Sequence, residues 1–386
     1  MKTIAVLGAG LGGALVIRQV MRSTVLPSDE YKMVVIAPNT HFHWPIAMPR
    51  AIVPGQFADD KVMHDYGPIF KQYPAEKFEL VLGTATSLDP SAKTVTATLV
   101  QGGETRQVTY DVLVVATGST TTDDMPWKIM GTIEKTKQKL RTVQTEIEQA
   151  KTIVVAGGGL TGTETAAELG FEYSKDGKKE VIFVHTDALP LSPPLMDSVR
   201  KQAKLELEKL NVKIIADSSV TNVTKSGTDS LIEIRSSDGK TQTLTAQAYV
   251  PAFGLKPNTE FAPSILLDDA RKFKQSKTLQ SVDHPEIFIV GDAGNLQTAK
   301  AQNAEMQAAH LIKTLPLYLK ADKIPDYVPG KEATGITLGR SRATGQIGGF
   351  KLFSIMIWWF KGRTMGTDVV PTYAAGTKTM SATYEK

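Results

Sequence analysis

Twice along this chain a short apolar strand runs into a cluster of glycines and then into a helical pattern. Residues 3–7, TIAVL, lead into Gly8-Ala9-Gly10-Leu11-Gly12-Gly13, followed by ALVIRQVMR and a second apolar strand, MVVIA, at 33–37. Residues 152–156, TIVVA, lead into Gly157-Gly158-Gly159-Leu160-Thr161-Gly162, then TETAAELGFEY and the strand VIFVH at 181–185. Each is a strand–turn–helix–strand unit, legible because the apolar period switches from strand-like to helical across the glycines. Two parallel strands joined by a helix must be covered on both faces, so a doubled unit predicts an α/β chain with two Rossmann-like dinucleotide-binding domains.

The segments after the two units repeat as well. Alternating strands with turn signals (DPSAK, QGGET) precede DVLVVATGS at 111–119, and alternating strands with an SSDGK turn precede AYVPAFGLKPN at 248–258. A further buried strand, HPEIFIVGDAG at 284–294, most simply returns the chain to the first sheet. A chain of 386 residues fits two or three domains. The expected division is 1–122 as the first part of one domain, 123–261 as the second domain, 262–325 as the return, and 326–386 as a small C-terminal α/β unit. Proline-bearing segments near 122–131 and 255–264 are the expected hinges.

In such a loop the first glycine makes the tight turn, the second lets the backbone approach a pyrophosphate, and the third allows close helix–strand contact. The phosphates then sit at a helix N-terminus, where free N–H groups and the helix dipole favour an anion. The acid that usually grips a ribose at the end of the second strand is absent from both copies. Its place falls near Ala37 in the first, with Asn39 two residues on, and at His185 in the second, with Asp187 two residues on. Asn39 bonds ribose hydroxyls more weakly than a carboxylate does. His185 does not repel a 2′-phosphate, so weak discrimination against NADPH is expected, and no Arg or Lys stands beside it to favour NADPH.

Composition removes whole classes of function. There is no cysteine, which excludes disulfides, thiolate metal sites and any electron relay through a cysteine pair of this chain. The net charge of +4 is the difference of 44 basic and 40 acidic side chains, too balanced to demand a nucleic-acid partner. The glycines interrupt the N-terminal apolar stretch, so no signal peptide is expected, and no apolar run approaches the ~20 residues a membrane span needs. Position 2 is Lys2, not glycine, so no N-myristoyl anchor is expected. His41-Phe42-His43-Trp44 lacks partners with ligand spacing, so no metal site is expected and the string is read as structural or as flanking the bound cofactor. Neither a Ser/His/Asp arrangement nor a P-loop is present.

With ATGS at 116–119, AFGLKPN at 252–258 and IFIVGDAG at 287–294 in order behind the doubled fingerprint, the chain resembles the pyridine-nucleotide–disulfide oxidoreductase superfamily. The strings GGGLTGTETAAEL, TAKAQNAEMQAAH and ATGITLGRSRATGQIGGF resemble, more narrowly, the apoptosis-inducing-factor-like and ferroptosis-suppressor flavoproteins, cousins of type II NADH dehydrogenases. The resemblance covers essentially the whole chain. It implies a three-layer ββα, glutathione-reductase-like fold holding FAD in the first domain, with NADH and/or NADPH in the second as hydride donor.

The resemblance also implies residue roles. Gly8, Gly10 and Gly13, with Leu11 and Gly12, would cradle the FAD pyrophosphate. Asn39 and Arg50 would contact the same cofactor, and Ala116, Thr117 and Gly118 would pass close to the flavin. Asp292, after Gly291, would accept from the ribityl hydroxyls, and Lys300 would lie near the flavin ring, where a cation stabilises charge building on reduced flavin. Gly157, Gly159 and Gly162, with Leu160 and Thr161, would bind the NAD(P)H pyrophosphate, flanked by His185, Phe253 and Gly254. Glu164 would sit near the nicotinamide or the acceptor pocket, and it and Lys300 are the catalytic candidates. Each role has a structural alternative: Asp292 as a helix cap, Lys300 as a solvated lysine, Glu164 as a first-turn acid favoured by the dipole.

The implied activity is an NAD(P)H:quinone oxidoreductase. The alternatives are a reductase of a soluble electron-carrier protein and an apoptosis-related redox-signalling flavoprotein of slow turnover. The tail segment LFSIMIWWFKGR at 352–363 either packs on the FAD domain or lies in a bilayer interface, aromatic residues in and cations out. The resemblance leaves room for a homodimer, and implies a cytoplasmic protein, with a peripheral place on a membrane such as the mitochondrial outer membrane or a lipid droplet as an open alternative.

Overall fold

The structure is a computed structural model that describes residues 1–384. Lys2–Leu7 is buried on both faces from Thr3 onward and stands third in a seven-stranded sheet, pairing in parallel with Tyr31–Ala37 on one side and Val112–Val115 on the other. Ile287–Ile289 adds in parallel beyond Val112–Val115, so the late strand belongs to the first sheet. These strands read as unbroken apolar runs because helices and a second layer cover both faces. On the other side Phe78–Asp89 begins parallel to Tyr31–Ala37, passes an irregularity between Ala85 and Ser87, and ends antiparallel to Thr94–Leu99. Such a bulge bends a strand, here out of the parallel layer and into the meander completed by Thr105–Thr109.

The second unit is smaller. Thr152–Ala156 lies parallel between Glu180–Val184 and Ala248–Pro251, with Lys213–Ile215 at the edge. The antiparallel strands Ser218–Ser226, Asp229–Ser236 and Thr241–Ala246 cover one face. Ile232 and Ile234 alternate with exposed residues and pack onto Val154, Ile182 and Val184. The helix Ile133–Gln149 starts at Thr132, whose hydroxyl caps Lys135 N–H, and buries Ile133, Leu140, Val143 and Ile147.

The chain crosses between the units twice, at one place. Ser119–Thr121 and Leu255–Pro257 pair antiparallel, and Thr122 N–H donates to Gly254 O at 2.9 Å.

The C-terminal unit is a three-stranded antiparallel sheet, Ala333–Leu338, Arg342–Ile347 and Phe350–Lys351, packed on the helix Leu160–Leu169 of the second unit. Ser354–Ile357 and the wider turn Trp358–Gly362 come next. The helix Val370–Ala374 then packs on Leu11–Val20, and the Gln19 amide donates to Gly376 O at 2.8 Å. The apolar tail segment is split between the two expected fates. Ile357 is buried and Trp358 donates its ring N–H to Arg340 O, while Phe353, Ile355, Trp359 and Phe360 face outward.

Candidate functional site

Both glycine loops adopt the backbone that their sequence dictates. Gly8 and Gly157 have φ of +93° and +115°, the left-handed region that a side chain would strain. A Cβ on Gly13 would run into Gly8 O, and one on Gly162 into Gly157 O. The helices Leu11–Val20 and Leu160–Leu169 can therefore start tight against their strands. Over Gly10 and Gly159 nothing lies within 4 Å of where a Cβ would sit, so the second glycine of each loop faces open space.

The first loop opens on a cleft of about 350 Å³ between the first sheet, the crossing strands and the helix Ala301–Leu319. Of the residues singled out on sequence, Gly8, Gly10, Leu11 and Gly12 line its floor, Asn39 and Ala116–Gly118 its sides, and Gly291, Asp292 and Lys300 its far wall. Gly13 lies beneath the floor. His41 and His43 of the HFHW string and Asn258, which ends AFGLKPN, also line it, as does Lys128, of which no sequence motif gives a sign.

The far wall is polar and organised. The Asp292 carboxylate accepts from Ser119 Oγ at 2.7 Å and from Lys128 Nζ at 3.1 Å. Lys300 is the residue just before the helix Ala301–Leu319, and its ammonium is paired with Glu332. It is therefore a held cation, not a freely solvated lysine. His43 is buried with Nε2 lacking any hydrogen-bond partner. Burial, with Lys128 nearby, pushes its pKa down to about 3, so the ring is neutral at physiological pH. Tyr66, also on the wall, donates to Ala9 O and so props the first glycine turn from below.

The second loop differs. None of Gly157–Gly162 lines the enclosed cleft; Leu160 and Phe253 are exposed, and Gly254 sits at the crossing against Thr122. Thr161 opens the helix at an intermediate depth. His185 is turned inward beneath the loop, where a Cβ on Gly158 would touch its Cβ at 2.8 Å, and neither ring nitrogen has a partner.

Glu164 does not face open space. It is buried, and its Oε1 accepts from Thr337 N–H at 2.8 Å, Thr337 Oγ1 at 3.0 Å and Lys361 Nζ at 2.6 Å. It is the first of three acids spaced four apart along one helical face. Glu168 takes a two-point contact from Arg50, at 2.9 and 2.8 Å, and Glu172 pairs with Arg340. Arg50 also donates to Gly362 O at 2.8 Å and Arg363 O at 3.1 Å.

Arg50, like His185, stands apart from the other expected cofactor contacts. Its planar fork matches a carboxylate, and Glu168 has claimed it, so it lies outside the cleft lining and joins the first unit to the second and to the tail. Burial pushes the Glu168 carboxyl up in pKa while the Arg50 fork pulls it down. Among the described residues no group of three or more His, Asp or Glu could hold a metal.

The sequence matches the family of pyridine nucleotide-disulphide oxidoreductases over residues 2–308. Oxidoreductase ptaL of Pestalotiopsis fici is 33% identical, with 92% of this chain and 94% of that protein covered. Ferroptosis suppressor protein 1 of Homo sapiens is 25% identical, covering 94% and 93%. Among solved structures, NDH2 from Plasmodium falciparum in complex with NADH superposes with a TM-score of 0.78 at 15% identity, covering 96% of this chain and 98% of that one, a likeness of fold.

Proposed function

The chain belongs to the pyridine nucleotide-disulphide oxidoreductase family, flavoproteins that use FAD with NAD(P)H, and we propose that within it this protein is an NAD(P)H:quinone oxidoreductase. The observation that carries the choice of acceptor is the C-terminal unit. Phe350, Phe353 and Phe360 are each 77% exposed and Ile355 71%, on a segment whose other side is tied to the nucleotide-loop helix through Lys361–Glu164 and Arg50–Glu168. An apolar acceptor approaching from a bilayer would meet this face first. The absence of cysteine supports the same reading, since the second half-reaction has no disulfide of this chain to pass through.

The cleft fits FAD. The open space over Gly10, the unpartnered Nε2 of His43 and the carboxylate of Asp292 are the features that an anionic, hydroxyl-rich dinucleotide uses. Bound FAD supplies hydride acceptance and onward two-electron transfer. The residues of this chain do the rest. The N-terminus of Leu11–Val20 offers free N–H groups to a pyrophosphate, and Asp292, held by Ser119 and Lys128, presents acceptors to sugar hydroxyls. Lys300, before the helix Ala301–Leu319, adds positive potential at the wall, and Glu332 fixes its direction. Neutral His43 contributes a hydrogen bond without a charge. Lys361 Nζ holds its protons between Glu164 Oε1 and Gly335 O, beside the second glycine loop.

Anaerobic stopped-flow absorbance tests the reading. NADH or NADPH should bleach the flavin band, and a short-chain ubiquinone should restore it rapidly. Bleaching without restoration by quinone would move the assignment to a carrier-protein reductase or a redox-signalling flavoprotein. The C-terminal face should also bring the protein down with anionic vesicles, an association that Phe353→Ser with Phe360→Ser abolishes. Retention as a dimer in detergent-free buffer, with no vesicle binding, would assign the face to a second copy instead. Among the described residues no helix is long and apolar enough to cross a membrane.

A further inference from the structure

His185 is the wrong residue to ask about nucleotide choice. The fold buries it under Gly158, its backbone tied to Ile215 O and Ser218 N–H, so its ring is not presented to a ribose. Thr186, the next residue, is exposed but neutral, and the first charged side chain past the strand at this edge of the loop is Asp187, 46% exposed. The segment beyond it folds back over the glycines, with Leu191 N–H donating to Gly158 O at 2.7 Å and Ser192 Oγ to Asp187 Oδ2 at 3.2 Å. A second acid, Asp217, comes just after the neighbouring parallel strand, its N–H on Asp187 O at 3.3 Å. In an open parallel sheet the nucleotide lies across these strand ends.

The cations nearby are already committed. Arg200 donates to Leu191 O at 2.8 Å, Leu189 O at 3.2 Å and Asp197 at 3.4 Å, and its side chain is 11% exposed. It stands 4.0 Å from Asp187, pinning the returning segment instead of offering a free fork. Lys204, also close to His185, lies 4.0 Å from Glu208.

Resting on the dinucleotide reading of the second loop, we propose that this site selects NADH over NADPH and that Asp187 is the specificity-determining residue, accepting from the adenosine ribose hydroxyls and repelling a 2′-phosphate.

Calorimetric titration of the FAD-loaded protein with NAD⁺ and with NADP⁺ tests it, because the two ligands differ only in the phosphate. The wild type should bind NAD⁺ tighter by roughly tenfold or more, the scale of a like-charge clash. Asp187→Asn and Asp187→Ser should close that ratio, chiefly by tightening NADP⁺, while Asp187→Glu keeps it. A structural role for Asp187 would instead weaken both ligands together and leave the ratio unchanged, which would overturn the proposal. Equal binding of the two by the wild type would do the same. Absence of binding by either would bring down the dinucleotide reading and this inference with it.

Discussion

The helices behind the two glycine loops hold equivalent places and are anchored by different forces. Leu11–Val20 is an apolar rod; Leu15, Val16, Ile17 and Val20 are buried, and it packs on Ala301–Leu319 and Val370–Ala374. Leu160–Leu169 carries Glu164 and Glu168 to its buried face, with Glu172 one turn on, and each acid meets a cation from elsewhere: Lys361, Arg50 and Arg340. The first arrangement rests chiefly on apolar fit, with the Gln19 amide on Gly376 O as its one buried polar tie among the described residues. The second is satisfied only when the C-terminal unit and the segment around Arg50 are both in place, because an unpartnered buried carboxylate is costly. Shared topology therefore leaves open what a helix recognises. The first helix is fixed as core and the second is a docking strip.

The largest test of that contrast is Arg50→Ala. Leaving Glu168 buried and alone should cost about 3–5 kcal/mol in urea unfolding, whereas the paired replacement Arg50→Met with Glu168→Leu should recover most of it. If the single variant were nearly as stable as the wild type, the charged strip would not be what holds the units together.

The helix Ala301–Leu319, which packs on Leu11–Val20, has a buried acid of its own, Glu305, whose Oε2 takes Met380 N–H at 2.8 Å and whose Oε1 has no partner. Burial pushes its pKa up to about 7. The native state then holds a proton that the unfolded chain gives up near the ordinary carboxylate pKa of about 4.5. Stability is therefore lost as pH rises from about 4.5 to 7, and the loss levels off above that, at on the order of 3 kcal/mol. Glu305→Gln should raise the melting temperature at pH 8 and leave it unchanged near pH 4; equal shifts at both would mean that Glu305 is not the titrating group.

Gly13→Ala and Gly162→Ala sharpen the contrast at the level of function. Each overpacks one helix start, at about 1–3 kcal/mol. The first should purify with less flavin, the second with its flavin intact but bleached more slowly by NADH. The smallest effect is expected at Glu172→Gln, within about 1 kcal/mol, since that pair is partly exposed.

The glycine loops, their strands and the return of 287–289 to the first sheet were legible because local backbone requirements write them: positive φ, close approach, unbroken apolar strands. The helix Ile133–Gln149 went unread, because no glycine motif marks it, although its Thr132 cap and apolar spacing lie in the sequence. Arg50 shows the limit. Nothing near it in sequence distinguishes a guanidinium that faces a cofactor from one that meets a glutamate 118 residues away. Lys128 reaches the cleft from a segment without a motif, so only the fold brings it there. His185 is subtler still: its place at the strand end is plain in the sequence, and the direction of its ring is not.

The paired crossing strands bear on how the molecule comes to be built. Val112–Val115 must find Ile287–Ile289 across an intervening chain that includes the whole second unit. Were that stretch unstructured, closing the loop would cost entropy that grows with the logarithm of its length. Once the second unit has folded, its ends meet at Thr122 and Gly254, and the loop left to close is the much shorter one made of the run up to Thr122 and the run from Gly254 to Ile287. The insert should therefore acquire its structure first and act as the splint on which its host closes. In pulsed hydrogen exchange during refolding, the amides of 152–156 should gain protection ahead of those of 287–289.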